Sequence, residues 1–172
     1  MLGNSLLVPR LSHAPSLGGP PHTRMDGAHL VSGGTNGLGL LTGRWVAQRG
    51  ASAVVLSSRS GRLADGMASE WEQLVASGCA AVVVQCDTAE VSHVRRLMTI
   101  GRSQGEVVGL YHAAGVLADG VLARQSATTL ARVYGPKSHG GWALHSMISC
   151  TALQACALFS SLIAYPRPLR AH

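Results

Sequence analysis

Ser32-Gly33-Gly34-Thr35-Asn36-Gly37-Leu38-Gly39 stands between a short strand-like run, Ala28 to Val31, and a stretch of helical periodicity, Leu40 to Arg49. That order reads as a strand, a glycine turn and a helix start. Gly33 lets the chain leave the strand in a tight turn, Gly37 lets the backbone approach a ligand closely, and Gly39 lets the first helical turn pack against the strand. The free N–H groups at such a helix N-terminus favour an anionic group.

Working outward, strand and helix patterns alternate. Ala53 to Leu56 predicts a second strand and Met67 to Ala76 a helix closed by Gly78. Ala80 to Gln85 is an unbroken apolar run, expected of a parallel strand buried on both faces. Val91 to Ile100 predicts a helix with Val94, Leu97 and Met98 inward; in the first helix Leu40, Leu41, Trp45 and Val46 should face the sheet. Val107 to His112 reads as the fourth strand, Thr128 to Cys150 as one long helical region, and Ala155 to Ser160 as the fifth strand. Strict alternation with short connections implies right-handed crossovers, hence an α/β, Rossmann-like doubly wound parallel sheet, incomplete after the fifth strand.

Composition narrows the function. The 172 residues suffice for one domain with a real core but are short for a complete dinucleotide-dependent enzyme. No run approaches 18 apolar residues, so no membrane span is expected. Half of the net charge of +6 lies outside residues 27–164, and no basic run interleaves with aromatics. Nucleic acid is therefore not the expected partner; the residual basic bias suits an anionic cofactor or an acyl carrier partner. Cys79, Cys86, Cys150 and Cys156 have no C-x-x-C spacing and read as buried, reduced thiols; His139 and His145 are six apart, which is not metal-ligand spacing. Residues 1–26, rich in Pro, Gly, Ser and His, read as a flexible leader, with Met25 as a second possible start, and residues 165–172 as an unstructured tail. The expected location is cytoplasmic, or a plastid where the leader acts as a transit peptide.

These motifs together resemble the ketoreductase domain of polyketide synthases and type I fatty acid synthases, within the short-chain dehydrogenase/reductase superfamily, over about Gly27 to Ala164. Ser32 to Gly39 resembles the superfamily's T-G-x-x-x-G-x-G turn, with Ser32 for Thr; Ser32, Gly33, Thr35, Asn36, Gly37, Leu38 and Gly39 are its cofactor-binding candidates. Leu56-Ser57-Ser58-Arg59-Ser60-Gly61 is similar to the family's L-x-S-R-x-G, giving Ser58 and Arg59. A guanidinium after the second strand pairs with a 2′-phosphate, whereas an NAD enzyme places an acid there. No acid lies between Gly39 and Asp65, so NADPH is the expected cofactor. Cys86-Asp87-Thr88 resembles the block whose Asp contacts adenine. His112-Ala113-Ala114-Gly115-Val116 resembles the H-A-A-G-V that lies along the cofactor.

The resemblance places catalysis on Lys137, in Pro136-Lys137-Ser138-His139-Gly140, which looks like P-K-x-x-G, and on Ser161, with Ser160 as the alternative hydroxyl. Lys137 is the only lysine of the chain. The implied activity is NADPH-dependent reduction of a β-ketoacyl thioester, free or bound to an acyl carrier protein, in polyketide or fatty acid biosynthesis, alongside other synthase domains. The family's proton-donating tyrosine should follow Ser161 by about thirteen residues, and an asparagine should follow it. Neither is met before His172, so the expectation is a C-terminally truncated ketoreductase with impaired turnover. A non-catalytic dinucleotide-binding module is the alternative. Tyr134 and Lys137 are three apart and do not form the superfamily's Y-x-x-x-K pair. Leu117-Ala118-Asp119 resembles the L-D-D of ketoreductases giving the D-configured alcohol, making Asp119 the stereochemical candidate.

Overall fold

The computed structural model describes residues 25–160. Five strands, β1 (Ala28–Ser32), β2 (Ala53–Ser58), β3 (Ala80–Gln85), β4 (Val107–His112) and β5 (Ala155–Leu158), alternate with helices α1 (Gly37–Ala47), α2 (Ala68–Ala76), α3 (Val91–Gln104), α4 (Ala127–Tyr134) and α5 (Gly140–Ile148). The sheet order is β3-β2-β1-β4-β5, and every pairing is parallel. The doubly wound reading therefore holds. The order reverses between β1 and β4, and in such sheets the crevice outside the carboxyl ends at this switch point receives the ligand.

Two apolar layers cover the sheet. On one side Leu30, Val55 and Leu110 meet Val94, Leu97 and Met98 of α3 and Leu144 and Ile148 of α5. On the other, Val31, Val54, Leu56 and Tyr111 meet Leu40 and Val46 of α1 and Leu74 of α2. In α3 the inward residues fall at i, i+3, i+4 and i+7 (Val94, Leu97, Met98, Gly101), the periodicity of one helix face. Leu40 and Val46 are fully buried as expected, whereas Leu41 and Trp45 stand 38% and 44% exposed. Trp45 instead carries the Arg49 guanidinium 4.4 Å over its ring.

Further expectations are corrected or refined. β3 is not buried on both faces: it pairs with β2 alone and Ala80 and Gln85 are exposed, because the strand order puts it at a sheet edge. The helical region expected over Thr128 to Cys150 runs without a break from Ala127 to Ile148, but it is not one regular α-helix. Pro136 lacks the N–H that an α-helix needs there, and the chain widens into a π turn over Gly135–His139 between α4 and α5. Cys79 and Cys86 are buried, but Cys150 and Cys156 are exposed; all four are free. The strand expected over Ala155 to Ser160 ends at Leu158.

Two buried histidines sit on the central strands. His29, fully buried on β1, bonds through Nε2 to the Met25 carbonyl and stacks on Tyr111; His112 ends β4. Burial pushes both imidazoles below their usual value near 6.5; their backbone carbonyl bonds oppose this, and the Lys137 charge adds to it at His112. A lowered folded pKa means that the unfolded chain takes up the proton first as pH falls. Stability contributed by the neutral rings is thus complete above about pH 6.5 and declines below it. Urea midpoints followed by tryptophan fluorescence are expected to fall between about pH 7.5 and pH 5.5, each unit of pKa difference contributing about 1.4 kcal/mol.

Candidate active site

The glycine turn leaves β1 at Ser32 and enters α1 at Gly37. Gly34 N–H donates to the Ser57 carbonyl at 3.0 Å, and Ala113 N–H to the Ser32 carbonyl at 2.9 Å, so the turn is pinned to the ends of β2 and β4. Thr35 is buried, and its carbonyl accepts from Ala64 N–H at 3.0 Å. Gly33 has φ +70°, and a Cβ there would lie 2.6 Å from the Ala114 nitrogen; a Cβ on Gly39 would strike the Gly33 carbonyl oxygen. Neither position has room for a side chain. Gly37 differs: φ is +43°, yet nothing lies within 4 Å of the Cβ it lacks. Asn36 precedes α1 without a side-chain cap, and the first turn of α1 carries no acid. The N–H groups that open the helix therefore have no acceptor within it, and Asn36, Gly37 and Leu38 at this end are exposed. This cradle fits an anionic, phosphate-bearing dinucleotide.

The segment after β2 forms the next wall. Ser58 Oγ accepts from Gly61 N–H at 3.1 Å, closing a turn that presents Arg59 to solvent. Gln85, at the end of β3, donates through Nε2 to the Arg59 carbonyl at 3.1 Å; the Gln85 carbonyl in turn accepts from Arg96 at 2.5 Å. Sequence reasoning did not single out Gln85, although a lone polar residue closing an apolar run was its signal. Asp87 Oδ1 accepts from Ala89 N–H at 3.0 Å in a tight turn. Cys86 and Thr88 point inward. Cys86 is 2% exposed, with burial pushing its thiol up to about 11, and Thr88 packs against Gly140. Neither side chain is therefore presented to a ligand.

After β4, Ala113 and Ala114 are half-buried and Gly115 is exposed. The His112 ring is buried with both nitrogens engaged, Nδ1 to Ser32 Oγ at 2.5 Å and Nε2 to the Pro136 carbonyl at 2.9 Å. Lys137 leaves the π turn, its Cε 3.1 Å from the Cβ position of Gly115, and its Nζ donates to the Phe159 carbonyl just past β5 at 3.3 Å. Asp119 is exposed in the loop after Gly115, where Gln125 Nε2 bonds the carbonyls of Ala118 and Gly120 on either side of it, at 3.2 and 3.3 Å. Ser161 lies outside the described residues. An open groove of about 880 Å³ begins at Lys137 and runs along α5 past Trp142, His145 and Leu158; no residue of the glycine turn lines it. Among the described residues no cluster of three metal-ligating side chains occurs, and no helix is long and apolar enough to cross a membrane.

The model of the KR domain family matches residues 27–166. The chain belongs to that family, the ketoreductase domains of polyketide synthases within the short-chain dehydrogenase/reductase superfamily. This ketoreductase sequence is 37% identical over 145 residues to polyketide synthase GfsB of Streptomyces halstedii, covering 84% of the chain and 3% of that protein. It is 38% identical over 143 residues to the phthioceranic/hydroxyphthioceranic acid synthase of Mycobacterium tuberculosis, covering 82% of the chain and 7% of that protein. A solved A1-type ketoreductase superposes with a TM-score of 0.79 at 28% identity, over 93% of this chain and 34% of that one. The first ketoreductase of the tylosin synthase gives 0.70 at 34% identity, over 80% and 30%. The chain thus spans a small part of the synthases and about a third of the solved domains. The family and fold imply a nicotinamide dinucleotide cofactor, which the cradle described above fits.

Proposed function

We propose that this chain supplies the NADPH-binding part of a ketoreductase acting on a β-ketoacyl thioester carried by an acyl carrier protein within a soluble synthase. The observation that carries the reading is Lys137. The chain's only lysine is held against Gly115 and the Phe159 carbonyl, at the same carboxyl end of the parallel strands as the glycine turn.

The α1 N–H groups bind the pyrophosphate and Arg59 receives the 2′-phosphate. When bound, the nicotinamide supplies the hydride. Lys137 places a positive charge where it favours the ionised form of a proton-donating phenol, whose free pKa is about 10. Ser161 binds the substrate carbonyl oxygen, and Asp119 stands where it biases the face of reduction. The chain is expected to bind NADPH through these residues.

Fluorescence titration with NADPH, paired with reduction of a β-ketoacyl N-acetylcysteamine thioester, tests this. Saturable NADPH binding is expected, and Lys137→Met should lower whatever reduction is measured at least about 100-fold. Absence of NADPH binding would refute the reading. Reduction left unchanged by Lys137→Met would show that this lysine does not serve the reaction.

A further inference from the structure

We propose that His112 is a positioning residue for Lys137: its imidazole, as the Nε2–H tautomer, holds the Pro136 carbonyl and with it the widened turn from which Lys137 projects. The tautomer follows from the partners. A carbonyl only accepts, so the proton sits on Nε2, and Nδ1 accepts from the Ser32 hydroxyl. Burial favours the same neutral ring.

The bond is more than the pairing of an ordinary core histidine because of what it holds. Pro136 has no N–H to give the helix, and the turn after it is widened. Gly140 N–H is directed at the Gly135 and Lys137 carbonyls, which leaves the intervening Pro136 carbonyl to His112, with Thr88 Oγ1 at a marginal 3.5 Å. The residue immediately after this carbonyl is Lys137. On the other side of the ring Ser32 begins the glycine turn, so one side chain ties the nucleotide cradle to the cation. The inference rests on the ketoreductase reading only for the purpose of Lys137, not for its placement.

The two bonds separate by substitution. In His112→Asn the carboxamide stays within reach of Ser32 but falls short of Pro136; in His112→Gln it reaches Pro136 and gives up Ser32. Reductive ¹³C-methylation keeps the lysine cationic, and because Lys137 is the only lysine it yields a single lysine resonance beside that of the N-terminus. Both variants are expected to lower the urea midpoint. The Lys137 methyl resonance should move toward its urea-unfolded position in His112→Asn and remain within a linewidth of wild type in His112→Gln and in Ser32→Ala. Folded His112→Asn with an unmoved resonance, or displacement in His112→Gln equal to that in His112→Asn, would overturn the proposal. Should His112→Asn fail to fold, displacement in Ser32→Ala or His112→Gln overturns it, and an unmoved resonance in both supports it. NADPH titration of the wild-type chain in parallel keeps the outcomes apart, since absent binding strikes the functional reading and leaves the resonance result standing.

Discussion

Gly37→Val is expected to abolish dinucleotide binding while leaving the chain folded. A Cβ at this position meets no protein atom within 4 Å, so the cost to folding is conformational. With φ at +43°, a left-handed residue costs about 1–2 kcal/mol, somewhat more when β-branched. The valine side chain would instead occupy the open space beside the α1 N–H groups, where the proposed phosphate contact is made. Excluding two such charge-assisted bonds, at about 1.5–3 kcal/mol each, raises the NADPH dissociation constant at least about 100-fold. Gly33→Val supplies the contrast. Its Cβ would meet Ala113 and Ala114 backbone at 2.6–2.7 Å, atoms that cannot yield, so that variant should lose the fold as well as the ligand. Urea midpoints and NADPH titration of the two variants check the pair. Weak binding by Gly37→Val with the cooperative unfolding transition retained supports the cradle; tight binding removes it.

The contrast between these two glycines of one turn shows what the sequence carried and what it did not. Alternating apolar runs and glycine stops made the five parallel strands legible, since burial on a doubly wound sheet leaves a local pattern in each element. Strand order leaves none. β3 reads as a core strand because Ala80 to Val84 are apolar, and only its place outside β2 exposes it. Likewise Leu41 and Trp45 follow the helical stripe, but the sheet beneath α1 is covered by Leu40 and Val46, and Trp45 finds its partner in Arg49. In the site, side chains whose types carry chemistry were readable one by one: Arg59, Asp87, Lys137. The contacts that hold them were not, because Gln85 to the Arg59 carbonyl and His112 to the Pro136 carbonyl join residues 26 and 24 positions apart through backbone atoms that every residue possesses. The π turn at Pro136 had a visible cause, a proline inside a helical run, yet its consequence, a carbonyl freed for His112, needed the fold.

Arg59→Ala is expected to weaken NADPH binding by about 10- to 100-fold and to leave NADH binding within about 3-fold, a change that corresponds to one charge-assisted hydrogen-bonding group of about 1.5–3 kcal/mol. The argument starts from charge. Arg59 is exposed at the end of β2, and the only ion pair among the described residues is Arg44 with Glu70, so Arg59 has no competing carboxylate there. The two oxygens and the second charge of a 2′-phosphate match a guanidinium fork in a way that a ribose hydroxyl does not, which confines the effect to NADPH. The loop beneath is independent of the side chain: it is closed by Ser58 Oγ on Gly61 N–H and braced by Gln85 on the Arg59 carbonyl, and both contacts survive truncation at Arg59. Gln85→Ala removes the brace and keeps the guanidinium, and should weaken NADPH binding by a smaller factor, about 3-fold or more, in line with one neutral hydrogen bond. Titrations with both dinucleotides across the three proteins decide the matter. Equal losses for NADPH and NADH in Arg59→Ala would mean that this arginine does not contact the 2′-phosphate, whereas a selective loss that Gln85→Ala reproduces in part ties cofactor choice to the edge strand β3.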